Sequence, residues 1–88
     1  MYTYWKFVLD SQYSTIEMPE NSAIRKVAVQ GNDIVLWAAV DTSVGHVRRI
    51  FVAYYTGEQI SEDTEMLYLD TVILDNGIVL HVHEVLGY

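Results

Sequence analysis

The chain has 88 residues and no cysteine, and its five Lys and Arg stand against twelve Asp and Glu, a formal charge of −7 at pH 7. A length of this order makes one domain that buries only about 60–65% of its unfolded surface. The lack of cysteine excludes disulfides, thiolate nucleophiles and sulfur-ligated zinc and fits a reducing compartment, while the acidic balance opposes contact with nucleic acid or anionic membranes.

The opening stretch "MYTYWKFVLD" has neither the basic flank nor the unbroken apolar core of a signal peptide, and the longest apolar run, "IVLWAAV", is too short to cross a bilayer. A soluble protein of the cytoplasm is expected. Alternation predicts a strand over Tyr2–Leu9, with Tyr2, Tyr4 and Lys6 on one face and Thr3, Trp5 and Phe7 on the other. Trp5 and Phe7 are the pair to bury; Tyr2 and Tyr4 are left for an interface. A second strand, Tyr13–Met18, stops at "MPEN", because Pro19 cannot donate to a ladder and Asn21 and Ser22 suit a loop.

Strands over Ile24–Gln30 and Ile34–Val40 flank "QGND", and strands over Leu67–Leu74 and Ile78–Val85 flank "LDNGI". Gly-Asn and Asn-Gly tolerate the positive φ of tight turns, so two antiparallel hairpins, 24–40 and 67–85, are predicted. His46–Thr56 is the remaining strand. The segment "GEQISEDTEM" has no period-2 pattern and has room for one short helical turn. About seven short strands separated by turn residues describe an all-β domain, a small antiparallel sandwich or partly open barrel.

Two strands are apolar on both faces. "DIVLWAAV" carries Ile34, Leu36, Ala38 and Val40 on one side and Val35, Trp37 and Ala39 on the other; "RIFVAYY" alternates Ile50, Val52 and Tyr54 with Phe51, Ala53 and Tyr55. Such strands need cover twice. With no long amphipathic helix to supply it, a homo-oligomer is expected, one subunit covering part of another.

The ending "VLHVHEV" places His81 and His83 on one face of an extended strand, about 6.6–6.8 Å apart at their backbones, which permits a shared metal. Glu84 points to the opposite face, and His46 lies beside Arg48 and Arg49, so no third ligand is evident. Two histidines on a semi-exposed strand face are the simpler reading, and no metal or other cofactor is expected. The serines stand in no nucleophile elbow and the five glycines form no phosphate loop, so no enzyme is expected. Glu58, Glu62, Asp63 and Glu65 form either a solvated loop or an acidic patch for a basic partner. Arg48 and Arg49 should lie on opposite faces, as should Arg25 and Lys26. The candidate ligand-binding set is Arg25, Arg48, Arg49, Trp37, Tyr54 and His81, since guanidinium groups beside aromatic rings suit an anionic nucleotide.

Thr15–Asp41, with "IEMP" and the "LWA" strand ending in Asp41, and Tyr68–Val85, with its terminal "H-V-x-E", resemble a family of short bacteriophage and prophage proteins of uncharacterised function. In that family a residue like His81 is usual and the position of His83 is often aromatic. The resemblance implies a phage accessory protein acting in the host bacterial cytoplasm against antiviral defence. Such a protein sequesters a small nucleotide-like immune signal as an oligomeric sponge, or docks as an acidic inhibitor on a basic surface of a host defence protein. A role in the virion is the other setting for an oligomeric β domain.

Overall fold

Alternating sequence becomes seven strands: β1 (Tyr2–Leu9), β2 (Tyr13–Pro19), β3 (Ala23–Gln30), β4 (Asp33–Asp41), β5 (His46–Tyr55), β6 (Met66–Ile73) and β7 (Val79–Val85). A computed structural model describes residues 1–87. Every pairing is antiparallel, in a three-stranded sheet A of order β1-β4-β3 and a four-stranded sheet B of order β2-β5-β7-β6. Neither sheet closes on itself, so the architecture is a sandwich and not a barrel. The expected strand limits differ from the observed ones by at most one residue at either end.

Both hairpins close where the turn residues require. Gln30 faces Asp33, which leaves Gly31 and Asn32 as a two-residue loop with Gly31 at φ +60°, the residue order of a type II′ turn. In the β6–β7 connection Gly77, at φ +87°, donates its N–H to the Leu74 carbonyl at 2.9 Å, and the Asn76 side chain accepts the Ile78 N–H at 3.0 Å.

The segment after β5 holds no helix among the described residues. Glu58 donates its N–H to the Tyr55 carbonyl at 3.1 Å, and its carboxylate turns back to accept the Tyr55 N–H at 3.0 Å. That side chain competes with helical bonding, and Gly57 at φ +89° leaves the right-handed region outright.

The main core lies between the sheets. Leu9, Val27, Ile34 and Leu36 from sheet A meet Met18, Phe51, Ala53, Val72, Leu80 and Val82 from sheet B. Phe51, Met18 and Leu36 have no exposed surface, and each such side chain contributes about 1.5–3 kcal/mol by leaving water. A second cluster of Val52, Tyr54 and Val85, with Ile50 and Met66, sits on the outward face of sheet B. It borders a cavity of about 230 Å³ that Ser61 and Thr64 also line. So β5 is covered on both faces, by sheet A and by its own connection to β6.

The strand β4 solves the same problem differently. Val35 points away from the core yet is only 1% exposed. Lys6 on β1 stands opposite Trp37, Gln30 on β3 stands opposite Asp33, and the Lys6 ammonium donates to Gln30 Oε1 at 3.0 Å. In that register Val35 stands between Val8 and Ala28 and lies along the line of the bridge, where the Lys6 stem is placed to cover it. Burial of this residue therefore needs no second subunit. Trp5, expected in the core, is 37% exposed, because β1 is an edge strand; its ring meets those of Phe7 and His46 edge-on, each at 6.4 Å between ring centres.

Candidate functional site

Strict alternation sends Arg48 and Arg49 to opposite faces of β5, and their fates differ. Arg48 is exposed on the outward face, across from Glu17. Arg49 shares the parity of Phe51 and turns inward. It meets Glu84, which shares the parity of Leu80 and Val82, in a two-point ion pair with Nε and Nη2 each 2.6 Å from a carboxylate oxygen. A third donor, Nη1, goes to the buried Ser22 carbonyl in the β2–β3 turn, and the guanidinium carbon lies 6.0 Å from the centre of the Phe51 ring. Glu84 is 5% exposed. This pair ties β5, β7 and the β2–β3 turn together, and its geometry leaves little of Arg49 to grip a ligand. The parity of Glu84 with Leu80 and Val82 was the signal for it in the sequence.

Tyr54 and His81 share the outward face of sheet B. Tyr54 is 4% exposed, with its hydroxyl 3.8 Å from the Met66 sulfur. Its neighbourhood raises the Tyr13 phenol above the ordinary value of 10.0, chiefly through a hydrogen bond to Tyr54. His81 is satisfied at both nitrogens, Nε2 by the Thr56 hydroxyl and Nδ1 by the Thr71 hydroxyl, each at 2.9 Å. Tyr68 extends this chain through Thr71 at 2.6 Å. His83 stands between the edges of Tyr54 and Tyr68, at 5.6 and 5.5 Å between ring centres, and its buried Nδ1 has no partner among the described residues. The two histidines share a face but serve different neighbours, and no group of three metal-ligating side chains converges among the described residues.

The acidic cluster lies along the exposed connection after β5. Glu58 is engaged by the Gln12 amide at 2.7 Å and by Tyr55, whereas Glu62 and Asp63 point into solvent. The Glu65 carbonyl receives the Leu86 N–H at 2.8 Å, which ties this connection to the segment after β7.

Sheet A brings together the residues that suit an anion best. On its outward face Trp37 is flanked across the sheet by Lys6 on β1 and Lys26 on β3. Arg25 is the extra residue of a β-bulge between Ile24 and Lys26, so it escapes the strict alternation expected of it and stays exposed at the same place. Three of the five basic residues of an acidic chain thus stand on the two strands that flank this one indole. Tyr4 and Tyr2, 67% and 81% exposed, continue the face along β1. Its carboxylates stand only at the ends of β4, Asp33 at one and Asp41 at the other. Asp41 is held below its ordinary value of 3.8 by the Ser43 hydroxyl and N–H, with a smaller contribution from the chain's amino terminus.

Of the six residues expected to bind a ligand, Arg25 and Trp37 therefore share one face, Arg48, Tyr54 and His81 share another, and Arg49 lies within the sandwich. A family profile described as "Domain of unknown function (DUF7352)" matches residues 1–87. The chain belongs to that family. No curated protein and no solved structure matches it. No helix among the described residues is long and apolar enough to cross a membrane.

Proposed function

We propose that this member of the family is a non-catalytic binding protein that holds a small nucleotide-like anion on the outward face of sheet A. Trp37 offers the ring on which a base stacks, and Lys6, Lys26 and Arg25 meet the phosphate charge. The row Lys6–Trp37–Lys26 carries this reading, since it gathers cations around an aromatic surface in a chain whose charge is −7. A locally positive face can attract an anion that the molecule as a whole repels, because screening confines each charge to about 8–10 Å at physiological salt. In the phage setting suggested by the resemblance, an oligomer of this protein withdraws a host immune signal in the bacterial cytoplasm.

The test is a titration of tryptophan fluorescence with cyclic di-adenylate and with ATP. Saturable quenching is expected, with Lys26→Glu weakening binding roughly tenfold or more and Arg48→Glu leaving it unchanged. No saturable signal at millimolar ligand, or sensitivity to Arg48→Glu instead of Lys26→Glu, overturns the proposal. The second reading, an acidic inhibitor of a host defence protein, draws on the exposure of Glu62 and Asp63. It requires that charge reversal at those two positions weaken a complex with a basic partner and flatten its salt dependence.

A further inference from the structure

The sandwich has four edge strands, and they are not equally guarded. Edge strands with unpaired backbone groups invite pairing, and bulges and prolines are common devices against it. On β3 the ladder to β4 is interrupted by the extra residue Arg25, and on β6 the ladder to β7 is interrupted by Leu69. On β2 the strand ends in Pro19, which has no N–H to offer. β1 has neither a bulge nor a proline, and its one charged side chain, Lys6, is drawn across β4 to Gln30. The strand pairs with β4 residue for residue from Tyr2 to Leu9 without a register shift, and among the described residues no backbone group of this stretch bonds to anything beyond β4.

We infer that β1 is a self-association edge, and that two copies of this chain join β1 to β1 in antiparallel fashion to make one continuous six-stranded sheet. The occupant is a second copy because the strand complements itself. Sheet continuity requires outward residues to face outward residues, so Tyr2, Tyr4, Lys6 and Val8 of one copy must oppose members of the same set in the other. A register that centres on Lys6 sets ammonium against ammonium, which is destabilising directly across a ladder. A register that centres on Tyr4 loses pairing at one end of the strand. The register that centres on Trp5 pairs Tyr2 through Val8, sets Tyr4 against Lys6 twice, and sets Tyr2 against Val8. An ammonium beside a tyrosine ring is an attractive pair once the exposed Lys6 exchanges Gln30 for Tyr4 of the second copy, and the exposed rings of Tyr2 and Tyr4 gain cover. The join also brings the two Trp37 faces onto one surface, three strand spacings or about 14 Å apart. This inference rests only on the oligomeric part of the reading above and uses no ligand.

The experiment is analytical ultracentrifugation of the whole ligand-free protein over a concentration series, with Tyr4→Lys and Tyr4→Glu. Tyr4 is 67% exposed, so both variants keep the fold, which circular dichroism verifies. Dimerisation of the parent is expected. Tyr4→Lys, which opposes lysine to lysine twice, should weaken it roughly tenfold or more, and Tyr4→Glu, which opposes glutamate to lysine, should match or exceed the parent. Amide exchange in Tyr2–Val8 of the parent should slow as concentration rises. A parent that stays monomeric, two variants that behave alike, or β1 amides insensitive to concentration overturns the inference. A dimer that binds no nucleotide leaves it standing and overturns only the ligand reading.

Discussion

The two outward faces of the sandwich are finished by different means. On sheet B the chain's own connection after β5 folds over Ile50, Tyr54 and Val85, and His81 is fastened between two threonines. On sheet A the cover is a single side-chain bridge from Lys6 to Gln30, and beside it Trp37 stands between two lysines. Histidine and tyrosine on the first face work chiefly for the fold; on the second Lys6 is engaged by Gln30, while Lys26 and Trp37 remain available. Residue type alone does not decide which is which. The neighbouring groups do, as the adjacent Arg48 and Arg49 demonstrate.

The largest effect should come from the interior charge pair that contrasts most with the open lysines. Glu84→Ala leaves the Arg49 guanidinium partly buried without its partner and should cost about 3 kcal/mol, measured by urea unfolding. Lys26→Ala on the open face should change stability by less than about 0.5 kcal/mol. The double variant Arg49→Met/Glu84→Leu should cost less than Glu84→Ala alone, because it leaves no stranded charge. An equal or greater cost would show that the pair itself, and not the stranding of a charge, holds this end of the sandwich.

On sheet B the two histidines should separate. His81→Phe loses two hydrogen bonds to threonine hydroxyls, one of them exposed to solvent and the other still bonded to Tyr68, a cost of about 1 kcal/mol. His83→Phe removes an unpartnered nitrogen from between two rings and should leave the melting temperature unchanged or raise it. Equal losses at both positions would erase the distinction. On sheet A, Lys6→Ala uncovers Val35 and should cost about 0.5–1 kcal/mol, with faster amide exchange at Val35 as the local sign.

The smallest effect concerns Asp41. Its carboxyl titrates below 3.8 in the folded chain, so its ionised form favours folding at pH values above 3.8, and that contribution is lost as pH falls through the lowered value. Asp41→Asn should therefore melt slightly earlier than the parent at neutral pH, and the gap should shrink on acidification below 3.8. A gap that is constant with pH would show that the ionised carboxylate has no part in it and would contradict the prediction.

Strand positions were legible because period-2 alternation and the turn residues Gly31, Asn76 and Gly77 are local signals. The partition into two sheets was not, since nothing local says that β4 sits between β1 and β3. Glu84 illustrates the limit. Its parity with Val82 marks it as inward, but its partner follows only when β5 and β7 are known to be neighbours. The extra residues Arg25 and Leu69 are not legible for a similar reason, because a bulge exists only relative to the strand opposite. The missing helical turn was lost to a hydrogen bond that the Glu58 carboxylate accepts from the Tyr55 N–H, which periodicity does not report. The candidate face on sheet A was half visible: Trp37 and Arg25 stood in the expected ligand set, while Lys6 and Lys26 joined it only through cross-strand register.

The most direct test of that face is two-dimensional amide NMR of isotope-labelled protein titrated with cyclic di-adenylate. Shifts at Lys6, Lys26 and both the backbone and indole N–H of Trp37 are expected, with Arg48 and His81 unmoved. Shifts confined to the Arg48, Tyr54 and His81 face of sheet B, or none at all, would contradict the assignment.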